Sequence, residues 1–261
     1  MSAIIPNYET IDDLEECIDS LVKCCCSEII VVDNNSSKET TDRLDKLADK
    51  KVIKLIKNKH NYGFTYAVNQ GIKAASENND ILLVNNDSVF TKNSIYEMRK
   101  AAYTLENVGL VVPRQVLFAG NPSISAHVPF ANPNSDCDVN LSVHHFNIEN
   151  VPLISNGKII ELSFAPFFCV YIRRDVFAKA GYLDAQHGRH YRSDRIYCDV
   201  IRHILDLKIY YVSSSVVFHK LQKSTANMKK QKSDDYQLIF LQNKWSKEER
   251  LERGYVEKAW E

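Results

Sequence analysis

The chain has 261 residues, enough to bury a sizeable core as one domain or two. Its apolar share of 44% and charged share of 25% are those of an ordinary globular protein. Lys plus Arg equals Asp plus Glu at 33 each, so no net field draws the chain to nucleic acid.

Ser2 to Ile5 reads as a short buried strand stopped by Pro6, with Asn7 and Tyr8 on the loop behind it. From Ile11 the apolar residues Leu14, Cys17, Ile18, Leu21 and Val22 recur at helical spacing, and Asp12 or Asp13 would cap that helix. Glu28 to Val32 is a second buried strand, ending in Asp33-Asn34-Asn35-Ser36-Ser37. Thr40 to Asp49 is a helix, Val52 to Ile56 a third strand, and Asn58 to Gly63 a polar loop. Phe64 to Ser76 is a third helix. Ile81 to Val84 then runs without a polar break, as a strand covered on both faces does, and ends in Asn85-Asn86-Asp87.

Strands alternating with helices predict βαβ units and a mostly parallel sheet. Right-handed crossovers bring the carboxyl ends of such strands to one edge. Pro6, Asn7, Tyr8, Asp33, Asn61 and Asp87 would then share one crevice, where open α/β sheets bind ligands. A carboxylate at Asp87, with a carboxamide two residues before it, can hold a hard cation through oxygen. A plain turn built from Asn and Asp is the competing reading. No G-x-G-x-x-G follows the first strand and no G-x-x-x-x-G-K-[ST] occurs, which disfavours a dinucleotide or P-loop fold.

Ile95 to Leu105 is a helix, and Gly109 to Val112 a strand closed by Pro113. The pattern loosens from Phe118 to about Asn150, as in a lid or binding loop, and His144-His145 read there as loop histidines. Ile159 to Ile172 supplies one or two core strands. Asp175 to Ala180 is a short helix closed by Gly181, and a polar loop from His187 to Ser193 leads into a helix from Asp194 to Leu205. Lys208 to Val212 is a late strand, and Val216 to Phe218 continues to His219. The lysines from Lys220 to Lys232 form either a solvated segment or a phosphate contact. Tyr236 to Trp260 has room for one or two amphipathic helices. No apolar run approaches the roughly 20 residues of a membrane span, and no basic leader opens the chain. Seven cysteines without paired C-x-x-C spacing suggest buried free thiols in a reducing cytoplasm.

Five segments, in this order, resemble glycosyltransferase family 2, above all its rhamnosyltransferase-like, polysaccharide-building members. They are Ile4-Ile5-Pro6-Asn7-Tyr8; Val31-Val32-Asp33-Asn34-Asn35-Ser36-Ser37; Asn61-Tyr62-Gly63-Phe64 with Ala67, Asn69 and Gly71; Leu82-Leu83-Val84-Asn85-Asn86-Asp87; and Phe177 to Asp184 followed by Asp194 and His219. The resemblance implies an A-type nucleotide-sugar fold, a Rossmann-like sheet flanked by helices with a smaller acceptor-side sheet. It implies one domain over residues 1–225, split into a nucleotide-sugar half (1–115) and an acceptor half (116–225), with a helical extension over 226–261.

By the same resemblance, Pro6, Asn7, Tyr8, Asp33, Asn61, Gly63, Asn85 and Asn86 contact the nucleotide sugar, Asp33 at the base. Asn61 and Asn69 shape the loop rather than touch sugar on the local reading. Asp87 stands where the family has the last residue of its D-x-D element and, with His219, would hold Mg²⁺ or Mn²⁺. Asp194 would be the general base. The sequence departs from the family at Asn85, which replaces an Asp, at Ser193, which replaces a Glu, and at Ile196. The implied reaction is inverting transfer from a uridine- or thymidine-type donor to a glycan or lipid-linked acceptor, in the cytoplasm or against the inner membrane surface. A sugar nucleotidyltransferase would need a Gly-rich basic loop that Asn7-Tyr8-Glu9 does not offer. A catalytically silent glycan- or partner-binding module on the same scaffold is the other alternative.

Overall fold

The computed structural model describes residues 1–117, 157, 159–162, 164–185 and 193–220. The 118–150 loop, His144-His145, the basic run after Lys220 and the C-terminal helices lie outside the described residues.

Four strands form the first half: β1 (Ser2–Asn7), β2 (Glu28–Asp33), β3 (Lys54–Lys57) and β4 (Ile81–Val84). They pair in parallel, in the order β3-β2-β1-β4. The crossovers are α1 (Ile11–Lys23), α2 (Lys38–Asp49) and α3 (Phe64–Ala74). Successive strand residues face opposite sides, so Ile4 packs with α3 while Ala3 and Ile5 pack with α1 and α2. Covering both faces is what the unbroken apolar runs required. Gly71 lets α3 lie against β1, because a Cβ there would meet Ile4 Cγ2 at 2.3 Å.

The second half holds β5 (Ser88–Phe90), α4 (Ser94–Thr104), β6 (Val108–Leu117), β7 (Ile159–Leu162), β8 (Cys169–Ile172), α5 (Arg174–Ala180), α6 (Ser193–Asp199) and β9 (Lys208–His219). β8 inserts antiparallel between β4 and β6. β9 lies parallel to β6 and antiparallel to β5 and β7. The smaller acceptor-side sheet of the sequence reading is the continuation of one sheet, nine-stranded among the described residues and ordered β3-β2-β1-β4-β8-β6-β9-β5 with β7 on β9.

Several local expectations shift. Pro6 and Pro113 do not stop their strands: Pro6 pairs with Val32, and Pro113 stands at a register shift, where proline's missing N–H is tolerated. Thr10, at φ 53°, precedes α1 without a side-chain cap, and Asp12 and Asp13 lie in its first turn. The helix expected to run to Leu205 is α-helical only to Asp199 and widens into a π turn over Val200–Ile204. The two late strands are one. Between Pro113↔Val212 and Arg114↔Val216, β9 carries extra residues opposite β6. There Ser214 Oγ donates to Glu97 Oε2 (2.9 Å) and Ser215 Oγ to the Ser94 carbonyl (2.8 Å), so α4 holds the bulge. Beyond it, β9 delivers His219 opposite Ser88 of β5.

Among the described residues, Cys17, Cys169 and Cys198 are buried and Cys25 is exposed, all as free thiols. No helix of the described residues is long and apolar enough to cross a membrane.

Candidate functional site at the carboxyl edge of the sheet

The parallel register sets Asn7 beside Asp33, at the ends of β1 and β2. Both are 1% exposed, so their polar atoms need partners inside the protein. Asn7 Nδ2 donates to Asp33 Oδ1 at 2.9 Å, and Ser36 donates to the same carboxylate through its N–H (to Oδ2, 3.0 Å) and its hydroxyl (to Oδ1, 2.5 Å). Asn7 Oδ1 accepts from Asn86 Nδ2 at 2.7 Å, and Asn86 Nδ2 also reaches Thr10 Oγ1 at 2.9 Å. The ends of β1, β2 and β4 are thereby tied into one polar network. Glu9 extends it toward α2, accepting from the Ser37 N–H and hydroxyl and from Thr40. Asn34 Nδ2 donates to the Gly63 carbonyl (3.1 Å), and Asn61 Oδ1 accepts from the Gly63 N–H (3.0 Å). Gly63 has φ 90° as it enters α3, which L residues rarely adopt.

Beside this network stands a second group. His219 Nε2 lies 3.0 Å from Asp87 Oδ1 and 3.3 Å from Asn85 Nδ2. The imidazole stacks on Phe168, with centroids 5.1 Å apart and planes 21° from parallel. Lys220 N–H donates to the Asp87 carbonyl (3.1 Å), and its ammonium pairs with Asp13 and Glu16 of α1. One carboxylate oxygen and one imidazole nitrogen suit a Mg²⁺ or Mn²⁺ that takes its other ligands from diphosphate and water. Among the described residues no group of three His, Cys, Asp or Glu stands together, so a cation at Asp87 and His219 would need its remaining ligands from a diphosphate and water.

Asp194 lies in the first turn of α6 and makes no hydrogen bond to these residues. Its Oδ1 accepts from the Arg195 N–H at 2.7 Å. Burial pushes its carboxyl up to about 6, outweighing that bond and the Arg195 charge. The first turn of a helix favours the charged form of a carboxyl. Desolvation wins.

Asn7, Asp33, Asn85, Asn86, Asp87 and His219 thus gather at the strand ends, Asn61 and Gly63 join through Asn34, and Pro6 and Tyr8 flank Asn7. Asp194 stands on a different element. The sequence reading missed Thr10 and Ser36, and gave Lys220 only as part of a basic segment, solvated or touching phosphate. Ser36 lay in a quoted motif, and its place ahead of a helix was the available signal. Thr10 and Lys220 gain their roles only through tertiary pairing. Asn69, assigned to loop shaping, instead ties α3 to the second half: its side chain donates to the Leu183 carbonyl (2.7 Å) and accepts from the Leu183 N–H (2.9 Å).

A search of curated proteins found no significant match. Among solved structures, similarity extends to GalNAc-T7 bound to UDP, GalNAc and Mn²⁺, with TM-score 0.64 at 14% identity over 84% of this chain and 43% of that one. A mannosyltransferase of Pyrobaculum calidifontis in complex with GDP-Man and Mn²⁺ gives 0.59 at 14% identity, over 99% of this chain and 70% of that one. S. aureus TarS gives 0.57 at 16% identity over 85% of this chain, which spans 36% of that protein. The sequence profile of glycosyl transferase family 2 matches residues 2–181. With that match over the strand-end crevice and the sheet that carries it, the chain belongs to glycosyl transferase family 2 and has the A-type nucleotide-sugar fold.

Proposed function

We propose that the chain is an inverting glycosyltransferase that moves a sugar from a nucleoside diphosphate to an acceptor hydroxyl. The observation that carries this reading is the Asp87–His219 pair, 3.0 Å apart, beside a buried strand-end network. A divalent cation held by Asp87 and His219 would supply positive charge to offset what builds on the leaving diphosphate. The chain's own residues do the rest. Asp87 and His219 orient the diphosphate end. Asn7, Asn86 and Gly63 line the path from it to the base.

Asp33 supports a uridine-type donor. A carboxylate has about four acceptor sites. Three are taken by Asn7 and Ser36, which leaves one on Oδ2. One acceptor matches the single ring N–H of uracil or thymine. Guanine presents two adjacent donors and calls for both oxygens.

Asp194 takes the proton of the acceptor hydroxyl. The hydroxyl oxygen forms its bond to the anomeric carbon as the bond to the diphosphate oxygen breaks, and that electron pair leaves with the diphosphate. One displacement inverts the anomeric configuration. The acceptor is a glycan or lipid-linked saccharide, and assembly of bacterial surface polysaccharide on the cytoplasmic side is the setting that suits it.

Titrating the protein with uridine, thymidine and guanosine diphosphates, with and without Mn²⁺, tests the reading. The expected result is uridine or thymidine diphosphate binding that Mn²⁺ tightens. Equal binding with and without metal would overturn the role given to Asp87 and His219. Binding without any hydrolysis or transfer of a nucleotide sugar would favour the silent module.

A further inference from the structure

Two buried polar atoms on one face of the sheet have no hydrogen-bond partner: Nδ1 of His219 and Oε1 of Gln115. Gln115 is 2% exposed and His219 5%. The parallel register of β6 and β9 pairs Gln115 with Val217 and Leu117 with His219. Paired residues share a face, and so do residues two apart on a strand. Gln115 and His219 are therefore diagonal neighbours on adjacent strands, on the side where Val217 joins Phe168 and Cys169 in the core. An orphaned acceptor next to an orphaned imidazole nitrogen, in surroundings this apolar, is costly for each alone.

The other ring nitrogen explains what the pairing does. An in-plane imidazole nitrogen carries a proton or a lone pair, not both. Facing the Asn85 amide at 3.3 Å, Nε2 must accept. Facing Asp87 Oδ1 at 3.0 Å, it needs positive charge in between, a proton or a cation. When a cation fills that position, the ring proton must sit on Nδ1, and Nδ1 then needs an acceptor.

We propose that Gln115 is a positioning residue for the cation site. Its Oε1 accepts the Nδ1–H of His219, directly or through one water, and so keeps the Nε2 lone pair turned toward Asp87. Ligating histidines are commonly held this way by a second group. The inference rests on the cation role given above to Asp87 and His219.

The test uses the full chain as wild type, Gln115→Met and Gln115→Glu. Methionine keeps the volume and removes the acceptor, and glutamate keeps an acceptor. With uridine diphosphate present, Gln115→Met is expected to weaken Mg²⁺ binding about tenfold. Gln115→Glu restores most of the affinity, and nucleotide affinity in chelator stays unchanged in both. In metal-free protein, the ¹⁵N resonance of His219 Nδ1 is expected to move between wild type and Gln115→Met. An unmoved Nδ1 resonance overturns the inference whether or not the protein binds a donor. Equal Mg²⁺ affinity in wild type and Gln115→Met overturns it too. A wild type that binds no cation sinks the cation site itself, and the metal-free resonance alone then decides whether Gln115 and His219 are partners.

Discussion

The two halves of the sheet build their shares of the site by opposite means. In the parallel half, Asn7, Asp33 and Asn86 end neighbouring strands and satisfy one another, so this region is buried, polar and closed before any ligand arrives. In the mixed half, His219 meets Asn85 across 134 residues of chain, at the end of a bulged strand. Asp194 lies on α6, where its Oδ1 accepts from the Arg195 N–H and burial raises its carboxyl. Preorganised dipoles lower the cost of binding the donor, because little reorganises on contact. A desolvated carboxylate is a stronger base, because its charged form is held less comfortably. On the proposed reading one half holds the donor and the other carries the reaction.

The largest expected effect breaks the reacting half. Asp194→Asn should lower transfer by roughly 10²–10⁴-fold and leave donor affinity near wild type. In wild type, transfer should rise with pH through about 6 and then level off, as the base ionises. Stability supplies an independent sign. The folded carboxyl lies above the ordinary 3.8, so ionising it costs stability, and that cost develops as pH rises from about 4 through 6. Asp194→Asn should remove this dependence and match or exceed wild-type stability at pH 8. Wild-type transfer rates in the variant would make Asp194 only a helix-end residue.

Asp87→Ala attacks the junction between the halves. It should cost roughly 10²–10³-fold in transfer and abolish the tightening of nucleotide binding by Mn²⁺. Asn85→Ala should do less, since a carboxamide carries no charge. Full activity of Asp87→Ala at low metal would remove this element from the cation site.

Asp33→Asn sharpens the holding half. The amide keeps the shape but loses acceptor capacity, so uridine diphosphate affinity should fall about tenfold, the value of one hydrogen bond to a charged group. Calorimetric titration measures it. Unchanged affinity would make Asp33 purely a tie between β1 and β2.

The same contrast explains what could be read in advance. Buried parallel strands advertise themselves as unbroken apolar runs, and each run here stops at a polar cluster. Asp33, Asn85, Asn86 and Asp87 were therefore visible as a shared edge. Local pattern carries no information about which distant strand pairs where. The insertion of β8 between β4 and β6, the bulge at Ser213–Ser215 and the passage of β6 through Pro113 all depend on such pairing. His219 and Asp194 were found through the family resemblance, not from periodicity. The raised carboxyl of Asp194 comes from burial, which only the folded chain supplies.

Asn69 offers the smallest expected effect on the reaction and the most direct test of how the halves are joined. It sits on α3, in the parallel half, and its amide closes a two-way pairing with the backbone of Leu183. Leu183 is fully buried against the core that α3, α5 and α6 share. Removing the amide leaves one N–H and one C=O without those partners. Each net hydrogen bond is worth about 0.5–1.5 kcal/mol, so losing both in Asn69→Ala should cost about 1–3 kcal/mol of stability. Asn69→Asp keeps the acceptor for the Leu183 N–H and loses the donor, so it should fall between wild type and Asn69→Ala. Urea unfolding with an unchanged slope reads both values. Nucleotide affinity should not move, because Asn69 spends its polar atoms on Leu183. A variant as stable as wild type would mean that apolar packing alone joins α3 to the second half, and a large loss of nucleotide affinity would move Asn69 into the binding site.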